Sequence, residues 1–433
     1  MTDEAMSAAV KIGNRLVAEA VWSADRCNWV GAEPVDLRTG AWSEPTYRAL
    51  GPTLYAGTGG VALFLAQLST VTGQPGFGRT ALGAMRHAMS CRDKVEPAAR
   101  LGFYTGWSGI AAAAVRTGLL LGSAEFVEAG LALLRDVHRL VEDLQPDGPE
   151  FDLMSGVAGA VPALASAYRL AGDEAMLRAA NLAAGWLVAS ARTTATGWSW
   201  RTPGVRNQHD LTGLSHGAAG AAVALVEAYR LTGEARFATG ARQAMCYEDH
   251  WLDIAEGNWP DFRENPADRR ARTFVTLWCH GSPGIALSRL HAHHYLGGQQ
   301  WLRDATIALD TTQRATRRLV DGGGADFSLC HGLAGDADVI AEASRLLSAG
   351  TADIEASRLV AEHGLERYAH TGVAWPCGTH TDETPNLMLG LAGIGYFYLR
   401  QARPQVPSVL LPTRWLCDGP EPDGGTGEPA PRA

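Results

Sequence analysis

Residues Phe327-Ser328-Leu329-Cys330-His331-Gly332-Leu333-Ala334-Gly335 place a thiol and an imidazole side by side, directly before a Gly-x-x-Gly turn. A near copy lies upstream, Leu277-Trp278-Cys279-His280-Gly281-Ser282-Pro283-Gly284. In both copies the turn leads into a stretch of small and apolar residues, which is typical of a buried helix. Two Cys-His-Gly turns in the same place of a repeated unit predict one site that is assembled from two parts of the chain.

The Gly-x-x-Gly turn recurs through most of the sequence. The steps between successive copies range from 49 to 64 residues, and a period near fifty residues fits a unit of two helices. The seven copies are Gly57–Gly60, Gly106–Gly109, Gly156–Gly159, Gly217–Gly220, Gly281–Gly284, Gly332–Gly335 and Gly390–Gly393.

Each turn is followed by an apolar helix, such as 218–231, that stops at a glycine and a polar residue, as in Gly172-Asp173. A more amphipathic helix comes next, for example 174–191. The pattern predicts an all-α fold of seven inner and seven outer helices. Periodicity leaves an open solenoid and a closed α/α toroid both possible. A toroid is favoured because the last repeat, 387–399, is too apolar for an exposed cap.

The composition argues against a protein that binds nucleic acid, spans a membrane or is secreted. The 433 residues are 46% hydrophobic, which is enough for a large core, and the formal net charge of −9 argues against nucleic acid or an anionic membrane as partner. We see no secretory signal and no apolar run of membrane length. The seven cysteines are scattered, so we expect thiols or metal ligands in the cytoplasm rather than disulfides.

Three segments are expected along the chain. Residues 1–50 form an N-terminal helical and irregular extension, with a helix from Val10 to Trp22, and residues 51–412 form the toroid. Residues 413–433 are rich in Pro, Gly and charge and are expected to be a disordered tail. Two tryptophan-containing insertions, 193–210 and 247–273, interrupt the repeats, and we hypothesise that they grip a peptide.

The residue before the first glycine of each turn is histidine in three consecutive repeats, and two of these histidines follow a cysteine. In a toroid these positions converge on the axis. Two thiolates and an imidazole suit zinc, and three protein ligands leave a fourth position for water or substrate. We therefore expect one zinc ion per chain, held by Cys279, Cys330 and His331. The alternative is that both cysteines are small buried core residues.

Three further residues have several possible roles. His216 occupies the same register without a cysteine, so it could be a fourth metal ligand, a general acid or base, or a core histidine. Asp152 could cap a helix, or orient His216 or transfer protons in the cavity. His280 could be structural or catalytic.

The motifs together resemble the lanthionine synthetase C-like family, the lanthipeptide cyclases. The resemblance covers about residues 50–412 and implies an α/α toroid with a central zinc ion held by Cys279, Cys330 and His331. It also implies catalytic or substrate-positioning roles for Asp152 and His216. The matching motifs are WCHGSPGI (278–285), LCHGLAG (329–335), SHGAAG (215–220), FDLMSGVAG (151–159) and LMLGLAGIGYFYLR (387–400).

The resemblance implies a Michael addition of peptide cysteine thiolates to dehydroalanine or dehydrobutyrine, which forms thioether rings. We expect zinc to lower the pKa of the substrate thiol and His216 to protonate the enolate. The chain has no room for a dehydratase domain, so a separate dehydratase is expected to supply the dehydrated precursor peptide. Alternatives are addition of a small thiol such as glutathione to dehydroamino acids in proteins, and a non-enzymatic, zinc-stabilised scaffold that binds peptides.

Overall fold

The fold is described from a computed structural model of the chain. The described residues are 2–33, 46–145, 148–202, 209–263, 272–323, 326–347, 354–379 and 382–413. Most of the predicted tail, from residue 414 onward, therefore lies outside the described residues.

Seven apolar helices form an inner layer, and each begins directly after the first glycine of a Gly-x-x-Gly turn, as predicted. Four of them end at a glycine in the left-handed conformation, which accounts for the stop signals seen in the sequence. The inner helices are α2 (Thr58–Thr72), α4 (Trp107–Leu121), α6 (Val157–Ala171), α8 (Ala218–Thr232), α10 (Ser282–Leu296), α12 (Leu333–Leu346) and α14 (Leu391–Ala402).

Seven outer helices pack against the inner layer. Six of them follow an inner helix along the chain, whereas the outer partner of α14 is the N-terminal helix. The outer helices are α1 (Thr2–Glu19), α3 (Pro75–Ser90), α5 (Ala124–Glu142), α7 (Glu174–Ser190), α9 (Ala235–Trp251), α11 (Gln299–Gly322) and α13 (Glu355–Gly364), the last continuing into a π-helix, Leu365–Ala369.

The inner layer closes on itself. Each inner helix contacts the next one along the chain, and α14 contacts α2. The fold is therefore the α/α toroid that the sequence favoured over a solenoid. The N-terminal segment differs from expectation, because α1 starts at Thr2 rather than near Val10 and supplies the outer helix that the last repeat lacks.

The second glycine of each turn is required by a close approach of the main chain. A Cβ atom at Gly109 would lie 1.6 Å from the carbonyl oxygen of Phe103, and one at Gly393 would lie 1.9 Å from that of Leu387. The same six-residue relationship holds in every repeat, with distances of at most 2.6 Å. Only glycine fits there, which explains why this short motif marks the start of every inner helix.

Main-chain hydrogen bonds link the seven turns at one end of the toroid. In six of the seven steps, the residue two positions before the first glycine donates its N–H to the carbonyl of the equivalent residue in the next repeat, over 2.9–3.2 Å. We call these equivalent residues the backbone circle. They are Tyr55, Tyr104, Met154, Ser215, Cys279, Cys330 and Met388.

Three short antiparallel hairpins decorate the helical layers. They pair β1 (Val21–Ser23) with β2 (Arg26–Asn28), β3 (Val30–Ala32) with β4 (Tyr47–Ala49), and β5 (Arg192–Thr194) with β6 (Gly197–Ser199). Across the described ranges, no helix combines the length and apolarity that a membrane crossing requires.

The predicted peptide-gripping role of the insertions is wrong for two of their tryptophans. Trp200 and Trp259 are 2% and 0% exposed. Their indole N–H groups donate to the carbonyls of Leu187 and Glu248, over 2.9 and 3.0 Å. These side chains fasten the insertions to the outer helices and cannot contact a ligand.

Candidate metal centre and acid–base pair

The backbone circle brings the N-terminal ends of all seven inner helices to the same end of the toroid. A helix N-terminus carries partial positive charge, which stabilises anions in its first turn. Thiolates and carboxylates on these turns are therefore favoured by the fold itself.

Cys279, Cys330 and His331 meet at this end, as predicted from the sequence. Their ligand atoms all lie within 4.8 Å of one another. Cys279 and Cys330 are 3% and 1% exposed, while His331 is half-buried. The turns before α10 and α12 hold these side chains, and no covalent link between the two cysteines is present. The cluster thus consists of two free thiols and an imidazole that opens partly towards the cavity.

The two thiols are hydrogen-bonded to each other, and their pKa values are shifted in opposite directions. Hydrogen bonds from Cys330 and His331, acting against burial, hold the pKa of Cys279 well below its ordinary value. Burial and the Cys279 charge raise the pKa of Cys330. Burial opposes protonation of His331, but its hydrogen bond with Cys279 raises the pKa of the imidazole. The neighbours of Cys279 thus favour loss of its proton, and the thiolate is the form in which cysteine binds a metal ion.

The donor set fits a zinc ion. Zn–S and Zn–N distances of about 2.3 and 2.1 Å in a tetrahedron put neighbouring donors about 3.6 Å apart, which the cluster can reach by small side-chain movements. The Tyr55 hydroxyl donates a hydrogen bond to the Cys330 sulfur from the first repeat. Such partners fix the orientation of metal ligands.

Asp152 and His216 form a hydrogen-bonded pair near this cluster. Asp152 is fully buried, and its Oδ2 accepts a bond of 2.6 Å from His216 Nδ1. The His216 side chain is 30% exposed, and since Asp152 occupies Nδ1, Nε2 is the ring nitrogen left to exchange a proton with a ligand. His216 lies outside the three-residue cluster and belongs to a second one. This placement favours an acid–base role for His216 over a fourth metal ligand.

The turn that carries Asp152 needs a hydrogen-bond acceptor at this position but does not need a negative charge. Asp152 Oδ1 accepts a hydrogen bond of 2.7 Å from the N–H of Ser155, three residues later. Neutral side chains make the same bond in three other repeats, namely Thr53, Ser328 and Asn386. This bond stabilises the turn and does not cap the helix, since the N-cap of α6 is Gly156 and no side chain caps it. Since the turn does not require a carboxylate, the negative charge serves His216.

His216 is biased towards its charged form. Burial opposes the charge, but the Asp152 carboxylate outweighs burial and raises the pKa of His216. The loop bearing His216 is held by the buried Glu248, which accepts hydrogen bonds from the N–H groups of Gly213 and Ala219. Glu248 is itself paired with Arg289 at 3.0 Å. An imidazolium on a fixed loop is suited to donate a proton.

His280 has the opposite protonation preference. It is 1% exposed, and burial together with the nearby Arg263 lowers its pKa to about 4. Its ring stacks on His216 with centroids 5.9 Å apart. Its Nε2 lies 3.4 Å from the hydroxyl of Ser215. A neutral, buried imidazole is suited to position His216, which favours the structural role over the catalytic one.

Two residues near the site were missed in the sequence. Glu150 lies within 4.8 Å of both Asp152 and His216, and burial and the Asp152 charge raise its pKa. Arg263, in the second insertion, is paired with Asp261 at 2.6 Å and interacts electrostatically with Cys279. Neither residue occupies a position that recurs relative to the Gly-x-x-Gly turns. The one signal in the sequence for Glu150 was its position two residues before Asp152.

The arrangement combines three chemical capacities at one end of the toroid. A cluster of soft ligands could hold a metal ion, the partly exposed His216 favours its protonated form, and the guanidinium of Arg263 lies nearby. Such a site could bind a thiol, move a proton and stabilise a developing negative charge.

Comparisons with known proteins add the family. The model of the lanthionine synthetase C-like protein family matches residues 48–411. The solved structure of nisin cyclase superposes with a TM-score of 0.62 at 19% identity, covering 81% of this chain and 89% of that one. The Danio rerio protein named glutathione S-transferase LANCL1 is 28% identical over 130 residues, which are 30% of this chain and 29% of that protein. The chain belongs to the lanthionine synthetase C-like family.

Proposed function

We propose that the protein is a lanthipeptide cyclase that adds cysteine thiols of a dehydrated peptide to dehydroalanine or dehydrobutyrine residues, with help from one zinc ion. The observation that carries this proposal is the placement of two chemically matched groups at one end of the toroid. The first is the cluster of two thiols and an imidazole, and the second is the Asp152–His216 pair. Thiol addition to an electron-poor alkene needs both an activated thiol and an acid.

Cys279, Cys330 and His331 would hold the zinc ion. A zinc ion bound there supplies Lewis acidity that lowers the pKa of a substrate thiol to near neutrality. The lowered pKa of Cys279 is consistent with this role, because cysteine ligands must lose their protons when a metal binds.

His216 would act as the general acid. When the C–S bond forms at the β-carbon, the alkene electrons move towards the neighbouring carbonyl, and the α-carbon then takes a proton. His216 Nε2 can deliver that proton. Asp152 holds the imidazole through Nδ1 and stabilises its charged form.

Arg263 would stabilise the negative charge that develops on the substrate carbonyl. Its guanidinium is fixed by Asp261 through Nε and Nη2, over 2.6–3.1 Å. Among the described residues, Nη1 has no hydrogen-bond partner in the protein. A preorganised donor of this kind lowers the barrier because it does not have to reorganise during the reaction.

The proposed reaction also implies partners. The substrate is a precursor peptide that already contains dehydroamino acids, so a dehydration reaction, carried out by a separate dehydratase, must supply it. The chemistry needs reduced thiols in both substrate and enzyme, which agrees with a cytoplasmic location.

The test combines metal analysis with turnover. Wild type and Cys330→Ala are analysed for zinc and mixed with a dehydrated, cysteine-containing peptide, and loss of free thiol is followed. One zinc per chain in the wild type, lost in the variant together with thiol consumption, is the expected result. Freshly purified wild type without zinc would contradict the metal site, and zinc without any thiol chemistry would favour a peptide-binding scaffold.

Addition of a small thiol is the second candidate, because a matched relative is named a glutathione S-transferase. Mass spectrometry separates the two reactions. Cyclisation leaves the peptide mass unchanged, whereas addition of glutathione increases it by the mass of the thiol. A mixture of both substrates would show which product forms faster.

A further inference from the structure

Glu150 extends the Asp152–His216 pair by one more carboxyl group. Its carboxylate lies within 4.8 Å of the ligand-type atoms of both residues and is hydrogen-bonded to Asp152. Glu150 lies in the loop before α6 and is half-buried, whereas Asp152 is fully buried. The three residues thus form a chain from the partly solvent-exposed Glu150, through buried Asp152, to His216 in the cavity.

The three groups do not suit a second metal ion. His216 Nδ1 and Asp152 Oδ2 are 2.6 Å apart. Two ligands of one zinc ion lie about 3.4 Å apart, since each is about 2.1 Å from the metal in a tetrahedron. The short separation is that of a charge-assisted hydrogen bond, so the cluster handles protons.

We propose that Glu150 is a positioning residue for His216 that exchanges protons between solvent and the Asp152–His216 pair and thereby reloads the acid after each turnover. This inference rests on the proposed function. In each cycle one S–H bond breaks, one C–S bond and one Cα–H bond form, and His216 gives up one proton. The proton released by the thiol balances that loss, and Glu150 is the group through which His216 regains it.

The neighbouring charges are consistent with this role. Burial and the negative charge of Asp152 raise the pKa of Glu150, which favours its protonated form over that of an exposed glutamate. Once ionised, Glu150 joins Asp152 in favouring the imidazolium. His280 is held neutral and adds no competing charge when the pH is above its pKa of about 4.

The replacement Glu150→Gln tests the inference, because glutamine keeps the size and a donor towards Asp152 but cannot ionise. Removing a carboxylate within 5 Å should lower the pKa of His216 by about one unit. The alkaline limb of the pH–kcat profile should shift down by the same amount, which is about a tenfold loss of kcat above that limb. Glu150→Asp should restore most of both shifts.

The direct readout is NMR titration of imidazole Cε1–H signals in the intact protein labelled at histidine. The His216 signal is assigned from its loss in His216→Asn. In the wild type it should show a second, smaller step from Glu150, and this step should vanish in Glu150→Gln. Glu142→Gln is the matched control, because Glu142 lies 3.2 Å from a different histidine, His138. That variant should leave the His216 titration unchanged.

The outcomes separate this inference from the proposed function. An unchanged His216 titration in Glu150→Gln, without a second step in the wild type, overturns the role of Glu150 even if the enzyme is active. Shifted titrations together with an unshifted pH–kcat profile also overturn it, because reloading of His216 would not depend on Glu150. If the wild type consumes no thiol, the proposed function fails, while the NMR titration still decides whether Glu150 controls the protonation of His216.

Discussion

Replacing Asp152 by Asn is the most informative single change in the proposed acid–base pair. The turn should survive, because Asn386 makes the equivalent hydrogen bond at 2.9 Å in the last repeat. The charge next to His216, however, disappears at a hydrogen-bond distance of 2.6 Å in a fully buried position. Loss of an opposite charge this close lowers a histidine pKa by about 1–3 units. His216 would then be largely neutral at pH 8 and would fail as an acid.

The expected result is a fall of kcat by roughly 100-fold at pH 8, within the range that general acid catalysis supplies. In the variant the pKa of His216 is lower, so its imidazolium form is lost at a lower pH than in the wild type. The difference in kcat between the variant and the wild type should therefore shrink towards pH 6. The assay follows thiol consumption on a dehydrated peptide from pH 5.5 to 9, with zinc content measured in parallel. The matched control is Asn386→Ala, which removes the equivalent turn bond and the bond from Asn386 Nδ2 to the Thr384 hydroxyl but no charge. It should cost about 1 kcal/mol of stability and leave the pH profile unchanged. An equal loss for Asp152→Asn at every pH would refute the assignment of His216 as the acid.

Three other changes test the surroundings of the site. Cys330→Ala should abolish stoichiometric zinc binding, whereas Cys377→Ala, which also removes a buried free thiol, should keep it; equal metal loss in both would mean that the cluster is not the metal site. Arg263→Gln should lower kcat/KM at least about tenfold without changing the zinc content, measured with the same peptide, and an unchanged value would exclude charge stabilisation by this residue. Burial and the nearby Asp249 raise the pKa of Asp304 to about 6. Because this pKa lies above that of an unfolded aspartate, the folded state loses stability as the pH rises from about 4 through 6. Asp304→Asn should therefore raise the free energy of unfolding at pH 7 by about 1 kcal/mol and give no gain at pH 4. A melting temperature that does not rise at pH 7 would contradict this.

The inner helices could be predicted from the sequence because the feature that starts each of them lies within a few residues of the helix. The second glycine of each turn lies against a carbonyl six residues earlier, so the constraint is written within a single short segment. The outer partner of α14 could not be found in this way. It is α1, from the opposite end of the chain, and no local pattern marks that pairing.

The meeting of the two thiols was predictable for the same reason, since Cys279 and Cys330 occupy equivalent places in two copies of one turn. Their convergence within 4.8 Å of each other and of His331 needs only that the repeats close into a toroid. Glu150 and Arg263 have no such register. Their positions depend on how a loop and an insertion fold over the site, and these depend on contacts between distant segments.

The backbone circle suggests why the thiols lie where they do. Six of its seven steps are made by main-chain hydrogen bonds, but in the described structure no such bond joins Cys279 to Cys330. At that step the two side chains interact instead, through a hydrogen bond between their sulfur atoms. A fully hydrogen-bonded step would hold neighbouring turns at a distance set by the main chain. The step without a main-chain bond lets the side chains set the spacing, so the fold can adapt to a ligand between the two sulfur atoms while the other six steps keep Tyr55, Asp152 and His216 in fixed positions around it.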